Sequence, residues 1–255
     1  MIKGITFDLW DTVFVDDSDE PKRAAAGRPS KPVERRQLVH QYLDKIKTID
    51  RQLVDVAYNA ADAAFRKVWH DQYVTWTVRE RLEVVLKALR RELSEADFKE
   101  LIRLHEEMEL EFRPNFVAGV HEAIKTLAGK YKLAVISDAI FSPGRALRTL
   151  LADEGLLPYF SVFLFSDEFG RSKPEPSVFA AACRQMNLAP HEIAHIGDRE
   201  HNDILGPKKA GMHCVLCTAA IDRDSKNTQA DAMFNDYGQL PDILETMNRS
   251  ETGGR

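Results

Sequence analysis

The chain has 255 residues, 44% of them hydrophobic and 29% charged, with a formal net charge of −5. That composition fits a globular protein with one large domain or a core plus a smaller one, and the acidic balance gives a nucleic-acid partner no support. No run approaches the roughly 18 apolar residues of a membrane span, the N-terminus lacks the basic region of a signal peptide, and three cysteines in this length read as reduced thiols, so a cytoplasmic protein without a membrane partner is expected.

Residues 2–8 predict a buried strand that stops at a carboxylate, Asp8. The polar stretch from Asp16 to Pro32 reads as a loop leaving the core. From Val33 to about Phe112 the apolar residues recur at three- and four-residue spacing (Leu38, Tyr42, Leu43, Ile46; Leu82, Val85, Leu86, Leu89), which predicts about four amphipathic helices, one N-capped by Ser94. After Arg113-Pro114 the pattern alternates. Helices are expected over 120–127, 145–151, 177–186, 204–210 and 240–247, and strands over 133–136, 162–165, 193–196 and 213–217. Alternation of this kind specifies an α/β fold with a doubly wound parallel sheet. One strand precedes the helical block and the others follow it, so the block is an α-helical bundle inserted in the first strand-to-helix loop. The expected division is residues 1–14 with 115–248 as the α/β core, 15–114 as a helical cap, and 249–255 as a frayed tail.

Four polar signals follow predicted strand ends: Asp8; Ser137; Lys173 in Arg171-Ser172-Lys173-Pro174; and Asp198 with Asp203 in Gly197-Asp198-Arg199-Glu200-His201-Asn202-Asp203. The C-terminal edge of a parallel sheet brings such ends to one crevice. Taken singly each has an ordinary explanation, since serines and aspartates cap helices after strands and a lysine in a Pro-rich turn is commonly solvated. The ordered set is what carries information.

With Asp8 followed by Thr12, Ser137 at a strand end, Lys173 before Pro174, and Gly197-Asp198 followed by Asp203, the chain resembles the haloacid dehalogenase-like hydrolases, in the subfamily with a helical cap after the first motif. The resemblance implies a Rossmann-like core and, for phosphoryl-transfer members, a small phosphorylated substrate attacked by Asp8 to give an aspartyl-phosphate. It implies Mg²⁺ held by Asp8, the backbone carbonyl of Trp10 and Asp198, with Asp203 in support. Lys173 and Ser137 would neutralise and hydrogen-bond the phosphoryl group, with Asp138 beside them at the substrate and Thr12 completing the first motif. A monomer or homodimer is expected.

Trp10 departs from the pattern. Phosphatases of this family normally carry there an aspartate that serves as general acid and then base, and tryptophan does neither. Losing that function costs roughly 10²–10⁴-fold in rate. Asp11, where relatives commonly have glycine, stands one residue away as a replacement acid or, more simply, as a structural carboxylate in the turn. Dehalogenating relatives also lack the second aspartate and need no metal, so metal-independent 2-haloacid dehalogenation is the alternative reading. The Asp198 and Asp203 pair weighs against it, and the arginines it requires near the cap (Arg23, Arg28, Arg35, Arg36) read as a solvated charged linker. A weakly active, ligand- or partner-binding protein is a third reading. Cys214 and Cys217 have zinc-like spacing, yet on a strand they point to opposite faces and read as core. His195 reads as packed or hydrogen-bonded, and Trp69, Tyr73 and Trp76 as packing in the cap.

Overall fold

A computed structural model describes residues 1–223 and 225–252. Among the described residues six parallel strands form one sheet: β1 (Gly4–Phe7), β2 (Lys132–Ser137), β3 (Phe160–Phe165), β4 (Ile193–Gly197), β5 (His213–Cys217) and β6 (Ala232–Phe234), in the order β3-β2-β1-β4-β5-β6. The chain works outward from β1 in one direction, then returns to its other side with β4. The crevice at that reversal is where doubly wound sheets bind ligands.

Both faces of the sheet are covered, and the period-two alternation of the strands shows how. Leu133 and Val135 of β2 join Ile5 and Phe7 of β1, Ala194 and Ile196 of β4, and Val215 and Cys217 of β5 in one cluster. It is closed by α7 (Val120–Ala128), α8 (Gly144–Asp153) and α10 (Leu240–Thr252). The alternate residues Ala134, Ile136 and Ile193 pack on Val178, Phe179 and Ala182 of α9 (Pro176–Met186). Cys214 shares a small cluster with Ile204, and all three cysteines are free and buried, which leaves the Cys214 and Cys217 pair as core.

Between β1 and β2 the chain inserts α1 (Glu20–Ala25), α2 (Lys31–Asp44), α3 (Arg51–Gln72), α4 (Val78–Leu89), α5 (Glu95–Glu106) and α6 (Met108–Glu111). The four longer helices have their own core, built on Val39, Leu43, Val54, Tyr58, Leu82, Val85, Phe98 and Leu101. Fully burying an aliphatic side chain of this kind is worth about 1.5–3 kcal/mol. Local signals set the boundaries: Thr77 and Glu80 form a reciprocal capping box at α4, and Ser94 accepts from the Asp97 N–H at α5, as its position predicts.

Three expectations need correction. The polar stretch 16–32 contains α1, with Pro21 in its first turn where a missing N–H costs nothing. The sheet has a sixth strand, β6, whose three residues, all apolar, are too few to show a strand period. The last helix continues to Thr252, beyond the predicted start of the frayed tail, while 253–255 lie outside the described residues.

Candidate active site at the sheet edge

Asp8 is the first residue beyond β1. Its N–H donates to Ile196 O at 2.8 Å, which carries the ladder one step past the strand and seats the carboxylate between β1 and β4. The chain then folds sharply, with the N–H groups of Thr12, Val13 and Phe14 converging on Leu9 O at 3.3, 2.7 and 2.8 Å. Asp11 takes the left-handed conformation, φ +53°. An aspartate tolerates that region because its carboxylate can bond the local backbone, and here Oδ1 accepts from the Asp16 N–H at 3.0 Å.

Lys173 arrives from the loop after β3. Its side chain is 2% exposed, with Nζ 2.8 Å from Asp8 Oδ1 and 2.5 Å from Asp203 Oδ1. Its backbone N–H donates to Asp138 Oδ1 at 3.0 Å, and Asn202 Nδ2 approaches Asp138 Oδ2 at 3.4 Å. Burial alone would lower the Lys173 ammonium, but the carboxylates of Asp203, Asp8 and Asp138 outweigh it and hold the lysine charged, well above its ordinary range.

Asp203 is anchored on every side. Oδ1 accepts from Lys173 and lies 3.1 Å from His195 Nε2, and Oδ2 accepts from the Arg199 N–H at 3.0 Å. His195 is oriented in turn by Thr6 Oγ1, 2.7 Å from Nδ1. Burial would raise the Asp203 carboxyl, yet Lys173 and His195 hold it below the usual carboxylate range. Gly197 makes this packing possible, because a Cβ there would collide with Cβ and Cγ of Asp203. Asp203 therefore holds the lysine while keeping few lone pairs for any other partner.

Asp198, one residue past β4, is in a different state. Oδ2 accepts from Arg223 Nε at 2.5 Å, but Oδ1 is buried without a hydrogen-bond partner among the described residues. Burial, together with the charges of Asp203 and Asp8, pushes its carboxyl up to about 7. Burial likewise raises the Asp8 carboxyl, with Lys173 pulling the other way, and lifts Asp138 to about 7. One oxygen from each of Asp8, Asp198 and Asp203 lies within 4.8 Å of the others. Hard carboxylate oxygens at this spacing, one of them orphaned, fit a small divalent cation. The Ser137 hydroxyl at the end of β2 and that of Thr12 are also buried without partners among the described residues.

A cavity of about 560 Å³ opens above Asp8 and Lys173 and reaches into the helical insertion. Trp10 lines it and packs edge-on against Phe14 with ring centroids 5.5 Å apart. Trp69 lines it too, stacked on Phe65, so that aromatic has a face toward the cavity as well as a packing role.

Sequence reasoning missed Arg223. It lies between β5 and β6 outside any motif, yet its guanidinium bridges Asp198 and Asp11 Oδ2. The arginines read as a solvated linker also need correction. Arg23 is fully buried against Glu34, and Arg35, 4% exposed, lines the cavity, because α2 turns its charged face inward between the helices and the core.

Residues 2–211 match the haloacid dehalogenase-like hydrolase family, and the chain belongs to it. Among curated relatives, the glyceraldehyde 3-phosphate phosphatase of Pyrococcus furiosus is 32% identical over 48% of this chain and 50% of its own length. The phosphoserine phosphatase of Thermus thermophilus is 30% identical over 36% of this chain and 37% of its own length. The matched part spans about half, or less, of these relatives. Among solved structures, a 2-haloacid dehalogenase from Pseudomonas syringae superposes with a TM-score of 0.67 at 22% identity, covering 97% of this chain and all of that one. A HAD phosphatase from Thermococcus onnurineus gives 0.63 at 21% identity over 95% of this chain and 98% of its own. These similarities establish the fold. Among the described residues no helix is long and apolar enough to cross a membrane.

Proposed function

We propose that this protein is a Mg²⁺-dependent hydrolase of small phosphate monoesters that works through an aspartyl-phosphate on Asp8, with residues 15–114 as the cap over the substrate. The observation that carries this reading is the buried, unpartnered Asp198 Oδ1 beside Asp8. A carboxylate held that way is costly unless a cation completes it, and carbon–halogen displacement has no use for one.

Asp8, the backbone carbonyl of Trp10 and Asp198 would hold the ion, with Asp203 behind them. Bound there, Mg²⁺ supplies charge that draws a phosphate dianion to a carboxylate and polarises its oxygens. Asp8 attacks phosphorus, the P–O bond to the alcohol breaks, and water then cleaves the acyl phosphate to return Asp8 and release phosphate. Lys173, fixed by Asp203, balances the charge on Asp8 and on the transferring group. The Ser137 hydroxyl, with no other partner among the described residues, donates to a phosphoryl oxygen. Asp138 positions the Lys173 backbone.

The leaving alkoxide receives no proton from residue 10. Nor does Asp11 replace it, since one oxygen is held by the Asp16 N–H and the other by Arg223. The enzyme is therefore suited to leaving groups that need little protonation. The test is phosphate release from p-nitrophenyl phosphate, which should require Mg²⁺ and vanish in Asp8→Asn. Chelator-insensitive chloride release from 2-chloropropionate, which Trp10 favours, would replace this reading with dehalogenation.

A further inference from the structure

The helical insertion contributes arginines to the wall of the cavity. Arg35 of α2 and Arg81 of α4 both line it, with guanidinium carbons 3.5 and 3.9 Å from the centroid of one ring, Phe141. Phe141 belongs to the core segment after β2 and also packs on the apolar cluster of the helical insertion. The ring thus fixes two cations from the insertion against the core, and guanidinium planes stack well on aromatic faces.

The two arginines differ in how they are satisfied. Arg81 donates to Asp62 Oδ1 at 2.6 Å and to Ile140 O at 3.0 Å. Arg35 is 4% exposed and makes no side-chain hydrogen bond among the described residues, with Nε and Nη2 both buried and unpartnered. Its nearest carboxylate oxygen, Glu109 Oε1, is 3.9 Å away and lies closer to Lys31, at 3.2 Å, while Glu109 Oε2 accepts from Ser142 at 2.6 Å. A buried guanidinium without a hydrogen-bonded anion is expensive. Burial and the neighbouring arginines lower its pKa, opposed by Glu109.

Resting on the phosphatase reading above, we infer that the substrate carries a second anionic group in the part that leaves as the alcohol, and that Arg35, braced on Phe141 beside Arg81, binds it. A carboxylate matches the planar guanidinium fork, and a second phosphate offers the same chemistry. Phosphate monoesters with a neutral far end would leave Arg35 unpaired, which makes the subsite a selectivity device as well as a source of affinity.

Two homologous series of alkyl phosphates, two to six carbons long, test this: one ends in a carboxylate and one in a hydroxymethyl group. Alkanediol bisphosphates form a third arm that separates the two anion types. At one chain length or more, the charged end should raise kcat/KM at least tenfold. Arg35→Gln should remove that preference and Arg35→Lys, which keeps charge but not the fork, should restore part of it. Thermal melts of both variants establish that they fold, and if Arg35→Gln does not, the Arg35→Lys ratio alone decides. A ratio near one at every length, or a preference unchanged in the variants, would overturn the subsite. Hydrolysis of p-nitrophenyl phosphate by the unaltered protein shows separately whether the phosphatase reading stands. If that activity is absent, thermal stabilisation by succinate through adipate, present in the unaltered chain and lost in Arg35→Gln, still supports an anion subsite, and no stabilisation refutes it.

Discussion

Lys173 Nζ lies 2.5 Å from Asp203 Oδ1 and is buried with it, so the lysine reaches Asp8 already fixed in place. Asp203→Asn leaves Lys173 paired with Asp8 but removes a charged hydrogen bond, worth about 1.5–3 kcal/mol. The variant should lower unfolding stability by an amount on that order in urea titration and reduce kcat far more than it raises KM. A stable variant with full kcat would show that Lys173 orients itself without Asp203.

Gly197 leaves space that the Asp203 side chain occupies. Gly197→Ala should push Asp203 away from Lys173 and His195, with an overpacking cost of about 1–3 kcal/mol and at least tenfold loss of turnover. Unchanged activity and melting temperature would mean that the loop over 198–203 adjusts freely.

Asp198 gives the metal-free protein a specific pH dependence. Its folded carboxyl is raised to about 7, above the ordinary value of 3.8. Between those values the folded state binds more protons than the unfolded state, so this group's contribution to stability falls as pH rises through that window and levels off above about 7. The neutral buried histidines, with His105 lowered to about 3, act in the opposite sense, so comparison with Asp198→Asn isolates the effect. Without metal, the stability of Asp198→Asn relative to the unaltered chain should increase from pH 4 to 7. Mg²⁺ should raise the unaltered chain's Tm more at pH 8 than at pH 5. A pH-independent difference between the two chains would contradict the assignment.

Trp10 offers a gain-of-function test. Trp10→Asp should raise kcat for alkyl phosphates by a factor on the order of 10², the low end of what a positioned acid contributes. For p-nitrophenyl phosphate, whose leaving group needs little protonation, the gain should be small. Equal effects on both substrate classes would argue that Trp10 acts by shaping the cavity.

The sheet and the motif residues were legible because their signals are local: apolar runs of strand length, turn residues, and polar groups at strand ends. Asp8, Ser137, Lys173, Asp198 and Asp203 gather at one edge because parallel strands must end together. Arg223 was illegible because it comes from an irregular loop whose only link to Asp11 and Asp198 is spatial. Arg35 was misread for a related reason. A charged stretch ordinarily faces water, but α2 buries Lys31, Glu34 and Arg35 along with Val39 and Leu43, and only the packed structure shows that inward charged face. Strand β6, with three residues, all apolar, is too short to show the alternation that marks a strand.

The most direct test of the central claim is to trap the nucleophile. Acid quench during turnover of p-nitrophenyl phosphate with Mg²⁺, followed by peptide mass spectrometry, should find a phosphoryl group on Asp8. Turnover in heavy-oxygen water should then place the label in released phosphate and leave the Asp8 carboxylate unlabelled. Heavy oxygen incorporated into Asp8 during turnover of 2-chloropropionate, with no phosphoryl adduct found, would contradict the account.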